Sequence, residues 1–189
     1  MITEIATQLA THREVINSIE KKMSPQIVEL VSLLANTFNR RGKLLVMGNG
    51  GSAADAQHFV AEIVSRFKME RRGLPAIALS TDTSILTAIG NDYGFDKVFR
   101  RQIEALATPL DLVIGISTSG NSQNVQQALM LAREIGTYTV GLLGKDGGTI
   151  KDFCDLALIV SSDDTPRVQE GHITIIHIVC DLLEKTMFA

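Results

Sequence analysis

Five short apolar runs, Leu44–Met47, Ala76–Leu79, Leu112–Ile116, Thr139–Leu143 and Leu156–Val160, alternate with stretches of helical periodicity. Runs of this length, bounded by Gly, Pro, Ser and Asp, read as strands buried on both faces. Such strands belong to parallel sheets, because the crossover between parallel neighbours is a helix that covers a face. Helices are expected over 53–66, over 83–107 with a break near Asn91, over 122–135, and from Thr165 to Met187. The alternation predicts an α/β fold, a doubly wound, flavodoxin-like sheet of five parallel strands. Ligands of such sheets bind beyond the C-terminal ends of the strands.

Ahead of the first run lies a helical extension. Ile2, Ile5, Leu9, Ile16 and Ile19 form a near-heptad series that His12 completes. Ser24-Pro25 then reads as an N-cap followed by a first-turn proline, starting a second amphipathic helix through Ile27, Leu30, Val31, Leu34 and Phe38. The expected organisation is one domain over 1–189, with N-terminal helices in 1–41 and the α/β core and last helix in 42–189. The narrow stripe on the first helix suits packing between subunits, with packing on its own domain as the competing reading.

At 189 residues and 45% hydrophobic, the chain can bury an ample core, which excludes a disordered tail or a disulfide-stapled scaffold. A net charge of −3 leaves no basic footprint for nucleic acid or anionic membrane, so any phosphate must be held locally. Cys154 and Cys180 lie far apart and read as free thiols. The early charge at Glu4 and the lack of any apolar stretch approaching about 18 residues give the expectation of a cytoplasmic protein.

Two loops carry candidate chemistry. The first run ends in Gly48-Asn49-Gly50-Gly51-Ser52 ahead of a helix, where glycines admit a ligand to the backbone and N–H groups can point at an anion. Gly48-x-Gly50-x-x-Ala53 fits a dinucleotide fingerprint, but the acidic residue about 20 positions on is not in place. A plain strand-to-helix turn fits this loop equally well. The third run ends in Ser117-Thr118-Ser119-Gly120-Asn121-Ser122. Ordinary capping needs one Ser or Asn; four hydroxyls in six residues at a helix start suit a phosphate monoester. There is no P-loop lysine, so this is not a nucleoside triphosphate loop.

His58 and Glu62, four residues apart on the helix after the first loop, project from one face. That spacing suits two metal ligands or a ligand and a base, and equally a surface pair. In the C-terminal segment stand Gln169, Glu170, His172 and His177. Taken alone, His177 in Ile175-Ile176-His177-Ile178-Val179 reads as a core histidine, His172 as structural, and His12 as a surface or interface residue.

Taken together, the chain resembles the bacterial phosphoheptose isomerases (sedoheptulose 7-phosphate isomerases) of the sugar isomerase (SIS) domain family. The residues that carry the resemblance are both loops, His58-x-x-x-Glu62, Pro75-Ala76-Ile77-Ala78, Gly90-Asn91-Asp92, Gly144-Lys145-Asp146-Gly147-Gly148, and Arg167-Val168-Gln169-Glu170 followed by His177, collinear over essentially the whole chain. The resemblance implies the SIS fold and isomerisation of D-sedoheptulose 7-phosphate to D-glycero-D-manno-heptose 7-phosphate, the first step toward nucleotide-linked heptoses. It implies that Ser117, Thr118, Ser119 and Ser122 hold the phosphate, and that Asn49, Gly50, Gly51, Ser52, Asn91 and Asp92 contact the substrate. Glu62 and His177 match the acid–base pair, with the order in which they act left open. His58, Glu62, Gln169 and His177 match a zinc site, one ion per subunit, with Glu62 and Gln169 also touching substrate. The implied assembly is a homotetramer with active sites shared between subunits.

Ketose-to-aldose conversion needs a base to move a proton from C1 to C2 and an acid to shuttle one between O1 and O2, which suits a carboxylate and an imidazole. Gln169 and His177 are eight residues apart, about 12 Å along a continuous helix. They reach one metal only if it lies between them, if Gln169 precedes the helix, or if they come from different subunits. The alternative reading is a non-catalytic SIS tetramer that binds the bacterial replication initiator; retention of Glu62 favours the isomerase. A sugar-phosphate-sensing regulatory domain is a further rival, and this chain has no room for the DNA-binding module usually fused to one.

Overall fold

The five apolar runs pair as a single parallel sheet in a computed structural model that describes residues 1–189. The strands are β1 (Leu44–Gly48), β2 (Ala76–Ala78), β3 (Leu112–Ser117), β4 (Tyr138–Gly144) and β5 (Leu156–Val160), in the order β2-β1-β3-β4-β5. This is the doubly wound order expected from the sequence. Every residue of β1 and β3 is buried, which explains their unbroken apolar composition.

Successive side chains of a strand point to opposite faces, and the two cores follow that period. Leu44, Val46, Leu112, Ile114 and Ile116 face a core shared with α1 (Ile2–Asn39), α2 (Gly51–Val64) and α6 (Thr165–Phe188). Leu45, Met47 and Val113 face the other core, with α4 (Arg100–Leu106) and α5 (Gln123–Ile135). Placement of α2 and α6 on the same face is what later brings their polar residues together.

One sequence expectation is corrected. Residues 2–39 form a single continuous helix with Pro25 inside it, not two helices punctuated at Ser24-Pro25. Proline in a helix interior removes one backbone bond and costs about 3 kcal/mol. Ile19, Met23, Ile27, Leu30, Val31, Leu34 and Phe38 nevertheless run as one buried stripe across it, so tertiary burial outweighs the local stop signal. Ser24 does not cap; its hydroxyl donates to Glu20 O at 2.7 Å. The N-terminal part of α1 leaves Ile2, Ile5 and Leu9 exposed. His12 Nδ1 meets Glu170 Oε2 at 2.7 Å, and Arg167 pairs with the other oxygen of Glu170, tying this part of α1 to the start of α6.

The break expected near Asn91 in the 83–107 helix falls three residues on, at Gly94, where φ is +93°. It separates α3 (Thr83–Tyr93) from a 3-10 turn over Phe95–Lys97 and then α4. Cys154 and Cys180 are free, and burial pushes both thiols up to about 12.

Candidate active site

Strands β1 and β3 are neighbours, but the helices that follow them leave to opposite faces of the sheet. The loops at their C-terminal ends therefore part and open a crevice, the usual ligand position in such sheets. An open cleft of about 410 Å³ lies here, lined by Asn49, Phe95, Asp96, Ser122, Gln123 and Asn124. Asn49 Nδ2 donates to Asn124 Oδ1 at 2.9 Å, and Asn124 Nδ2 donates back to Asn49 Oδ1 at 2.8 Å. The amide of Asn49, expected to contact substrate, is thus largely engaged in joining the two loops.

In the first loop, Gly50 has φ +56° and ψ −122°, a conformation suited to glycine. Gly51 answers to a different constraint. A Cβ at Gly51 would collide with the side-chain amide of Gln169, so the missing side chain lets α6 approach the loop. Gln169 lies within α6 rather than before it, and its amide packs on the loop. Ser52 is 4% exposed, which leaves its side chain little surface to offer a substrate.

The second loop keeps its hydroxyls off capping duty. Ser122 is the N-cap of α5 but makes no side-chain cap bond. Instead the hydroxyl of Ser117 lies 2.9 Å from that of Ser122 and 3.4 Å from that of Ser119. Hydroxyl rotors paired with one another can turn to an anion, and the first-turn N–H groups of α5 have no backbone partner within the helix, although Val125 N donates to Asn124 Oδ1 at 2.9 Å. Gly120, at φ +67°, lies flat against the backbone of Gly147 and Gly148, and Asn121 Oδ1 accepts from Thr149 N at 3.0 Å. The Gly144–Gly148 motif serves to brace this loop from behind.

The second cluster forms where α2 meets α6. His58 Nε2 and His177 Nε2 face each other at 2.9 Å, with ring centroids 5.2 Å apart and planes at 67°. Glu62 Oε1 is 3.6 Å from His58 Nε2. Phe67 stacks on His177 with centroids 5.6 Å apart, and the Lys68 ammonium stands 5.2 Å from the Phe67 ring. Burial, the His58 ring and Lys68 hold His177 below the usual histidine value, with Glu62 pulling the other way. His177 is therefore biased toward neutral imidazole.

Asp55, one turn before His58, has an oxygen buried without a partner. Burial raises its carboxyl to about 6, against the opposing pull of His58. His172, not His177, is the fully buried histidine. Its Nε2 lies 3.1 Å from Leu143 O, and burial holds it down at about 4.

Two imidazoles and a carboxylate are a donor set zinc accepts. Imidazole nitrogens about 2.0–2.1 Å from a tetrahedral zinc stand about 3.3 Å apart, a few tenths of an ångström wider than this pair. The residue types and facing Nε2 atoms thus fit the ion, while no three His, Cys, Asp or Glu side chains stand in ligating geometry as they are. Of the four expected ligands the structure gathers His58, Glu62 and His177; Gln169 packs at Gly51.

The remaining expected substrate residues, Asn91 and Asp92, are exposed near the end of α3, where Asn91 Nδ2 donates to Asp92 Oδ1 at 2.8 Å. Sequence reasoning missed Asn124, Asp55 and Phe67. A signal existed for Asp55, which completes an i, i+3, i+7 series with His58 and Glu62 on one helix face.

Residues 9–144 match the SIS domain. Over its full length the chain is 67% identical to the phosphoheptose isomerase of Geotalea uraniireducens (strain Rf4), covering all of both chains. The chain belongs to the phosphoheptose isomerase family of SIS domain proteins. Among solved structures, phosphoheptose isomerase GmhA from Neisseria gonorrhoeae superposes with a TM-score of 0.92 at 43% identity, over 98% of this chain and all of that one. A phosphoheptose isomerase from Francisella tularensis gives 0.94 at 33% identity, over 97% and 98%. The SIS match takes in both loops, His58 and Glu62 but ends before α6. The full-length match to phosphoheptose isomerases extends through Gln169 and His177 and favours the isomerase over the initiator-binding tetramer.

Proposed function

We propose that this chain interconverts D-sedoheptulose 7-phosphate and D-glycero-D-manno-heptose 7-phosphate by proton transfer, the first step toward nucleotide-activated heptoses. The observation that carries this reading is the meeting of His58, Glu62 and His177 across α2 and α6. Membership of the phosphoheptose isomerase family over the full length supports it.

The reaction moves one proton from C1 to C2 through an enediol and another between O1 and O2. Glu62 takes the proton from C1, exchanges it with solvent while the enediol stands, and protonates C2. His177, biased to the neutral form, accepts a proton before it donates one and serves the oxygens. The hydroxyls of Ser117, Thr118, Ser119 and Ser122, with the N–H groups opening α5, hold the phosphate without a cationic side chain. Asn49, Gly50, Gly51 and Ser52 border the sugar chain. Asn91 and Asp92, exposed on α3, serve a site shared between subunits of a homotetramer. His58, Glu62 and His177 would hold one zinc per subunit, and Gln169, which packs at Gly51, would have to turn toward them to join as the fourth ligand. Bound there, the ion would supply Lewis-acid polarisation of the substrate oxygens. The reading places the enzyme in the cytoplasm, where sugar phosphates are retained by their charge.

The test is an assay of heptose phosphate formation with wild type, Glu62→Gln and His177→Gln. Wild type forms the aldose, and each variant loses at least about 100-fold in kcat. A folded, zinc-loaded wild type that leaves the ketose unchanged overturns the reading.

A further inference from the structure

The segment between α2 and β2 has no regular structure, yet a buried ion pair organises it. Glu184 Oε1 accepts from Phe67 N at 2.8 Å and Arg71 Nε at 2.9 Å, and Oε2 accepts from Lys68 N and Met69 N, both at 2.8 Å. Both side chains are 2% exposed. Arg71 directs most of its remaining donors to the C-terminal end of α2: Nη2 to Glu62 O at 2.8 Å, Nη1 to Ile63 O at 3.0 Å and Ser65 O at 3.3 Å, with Nη1 also reaching Arg72 O at 3.0 Å. The last turn of α2 has no basic residue of its own, so Arg71 supplies the positive charge that helix C-termini favour.

Geometry gives this clasp a second consequence. Glu184 lies two turns beyond His177 on α6, and Arg71 grips the carbonyl of Glu62 on α2. One ion pair thus joins the two helices that carry the facing imidazoles, and the backbone it holds presents Phe67 to His177. A buried ion pair is a weak source of stability, because desolvation offsets most of the attraction. Its return is fixed geometry, and here what it fixes is the separation of α2 from α6.

We infer that Glu184 and Arg71 are positioning residues, which set the His177 ring against His58 by seating Phe67 behind it. This rests on His177 being a reacting group. The phosphate loop lies at the ends of β3 and α5, outside the clasp, so the clasp governs turnover rather than substrate affinity.

The experiment compares Glu184→Gln, Phe67→Leu, Phe67→Tyr and His177→Gln in the full chain, by steady-state kinetics and by histidine-ring NMR of the metal-free protein. Glu184→Gln and Phe67→Leu are expected to lower kcat about tenfold or more with KM within about twofold, since small displacements of reacting groups act on the chemical step. Phe67→Tyr, which keeps the stacked ring, restores kcat. Glu184→Gln shifts the His177 ring resonances toward their position in Phe67→Leu, a readout independent of activity. A folded Glu184→Gln with unchanged kcat and unchanged His177 resonances overturns the inference, as does a Phe67→Leu variant indistinguishable from wild type. Full activity in His177→Gln instead overturns the underlying reading of the site, so the two failures are told apart.

Discussion

Asn49 and Asn124 exchange hydrogen bonds through both of their side-chain amides, across the crevice where β1 and β3 lead to opposite faces of the sheet. Asn124 is 4% exposed and Asn49 half-buried, so removing Asn49 strips a buried amide of its partner, while removing Asn124 frees Asn49 at the cleft wall. Asn124→Ala should cost about 1–3 kcal/mol of stability and lower kcat/KM about tenfold, by releasing the two loops from each other. In a cycle with Asn49→Ala, the double variant should cost less than the sum, with a coupling of about 1 kcal/mol in urea unfolding. Strict additivity would mean the pair does not act as a unit.

Two glycines should behave oppositely on substitution. Gly51→Ala meets the far end of the Gln169 side chain, which can swing away, on a backbone that accepts Ala. Stability should stay within about 0.5 kcal/mol while activity falls with the displaced amide. Gly120→Ala meets the backbone of Gly147 and Gly148 at φ +67° and should cost about 1–3 kcal/mol or more, with activity lost through unfolding. Thermal melts run beside kinetics separate the two.

His172 predicts an acid-sensitive stability. Its folded value of about 4 lies below the ordinary histidine value of about 6.5, so the unfolded chain takes up the proton first. Above pH 6.5 the contribution is fully present; as pH falls from there toward 4 it is lost, about 3 kcal/mol in all. Gln can still donate to Leu143 O. His172→Gln should therefore start less stable at pH 7.5 but lose less between pH 6.5 and 4.5, read from urea midpoints.

Zinc should raise the melting temperature of the wild-type protein, because a ligand bound only by the folded state stabilises it. The rise should vanish in His58→Ala and in His177→Ala, with metal content falling from one per subunit. A rise that survives both substitutions would place the ion elsewhere.

Proton transfer through an enediol leaves an isotopic trace. In deuterated water, the product should carry solvent deuterium at C2, visible by NMR. Product that stays fully protiated at C2 at partial conversion would argue for direct hydride transfer. Glu62→Gln should abolish exchange and turnover together.

The fold was largely legible, because each strand is a short apolar run and three of the four crossovers show a helical period; the fourth, between β4 and β5, holds only a 3-10 turn. Leu156–Val160 matches its strand residue for residue. Ser24-Pro25 misled because local stop signals say nothing of the Ile19–Met23–Ile27 stripe packing on distant elements. The Ser117–Ser122 loop was legible through its hydroxyl density, and His58–Glu62 through its spacing. His177 looked like core, yet Gly171, His172, Ile175, Ile176, Val179, Cys180 and Leu183 form the buried stripe, and His177 stands off it. The Glu184 clasp was not legible, since it joins residues more than 110 positions apart that meet only because α2 and α6 share a face.

The long helix α1 covers its apolar stripe with β5 and α6, the last strand and last helix of the chain. During synthesis on a ribosome, Met23, Ile27, Leu30 and Leu34 therefore emerge long before the surfaces that will shield them. Each parallel pairing in the sheet also waits for a distant segment, which slows closure. The nascent chain carries an uncovered apolar strip through nearly its whole elongation, and its exposure to aggregation ends only when residues near 183 arrive.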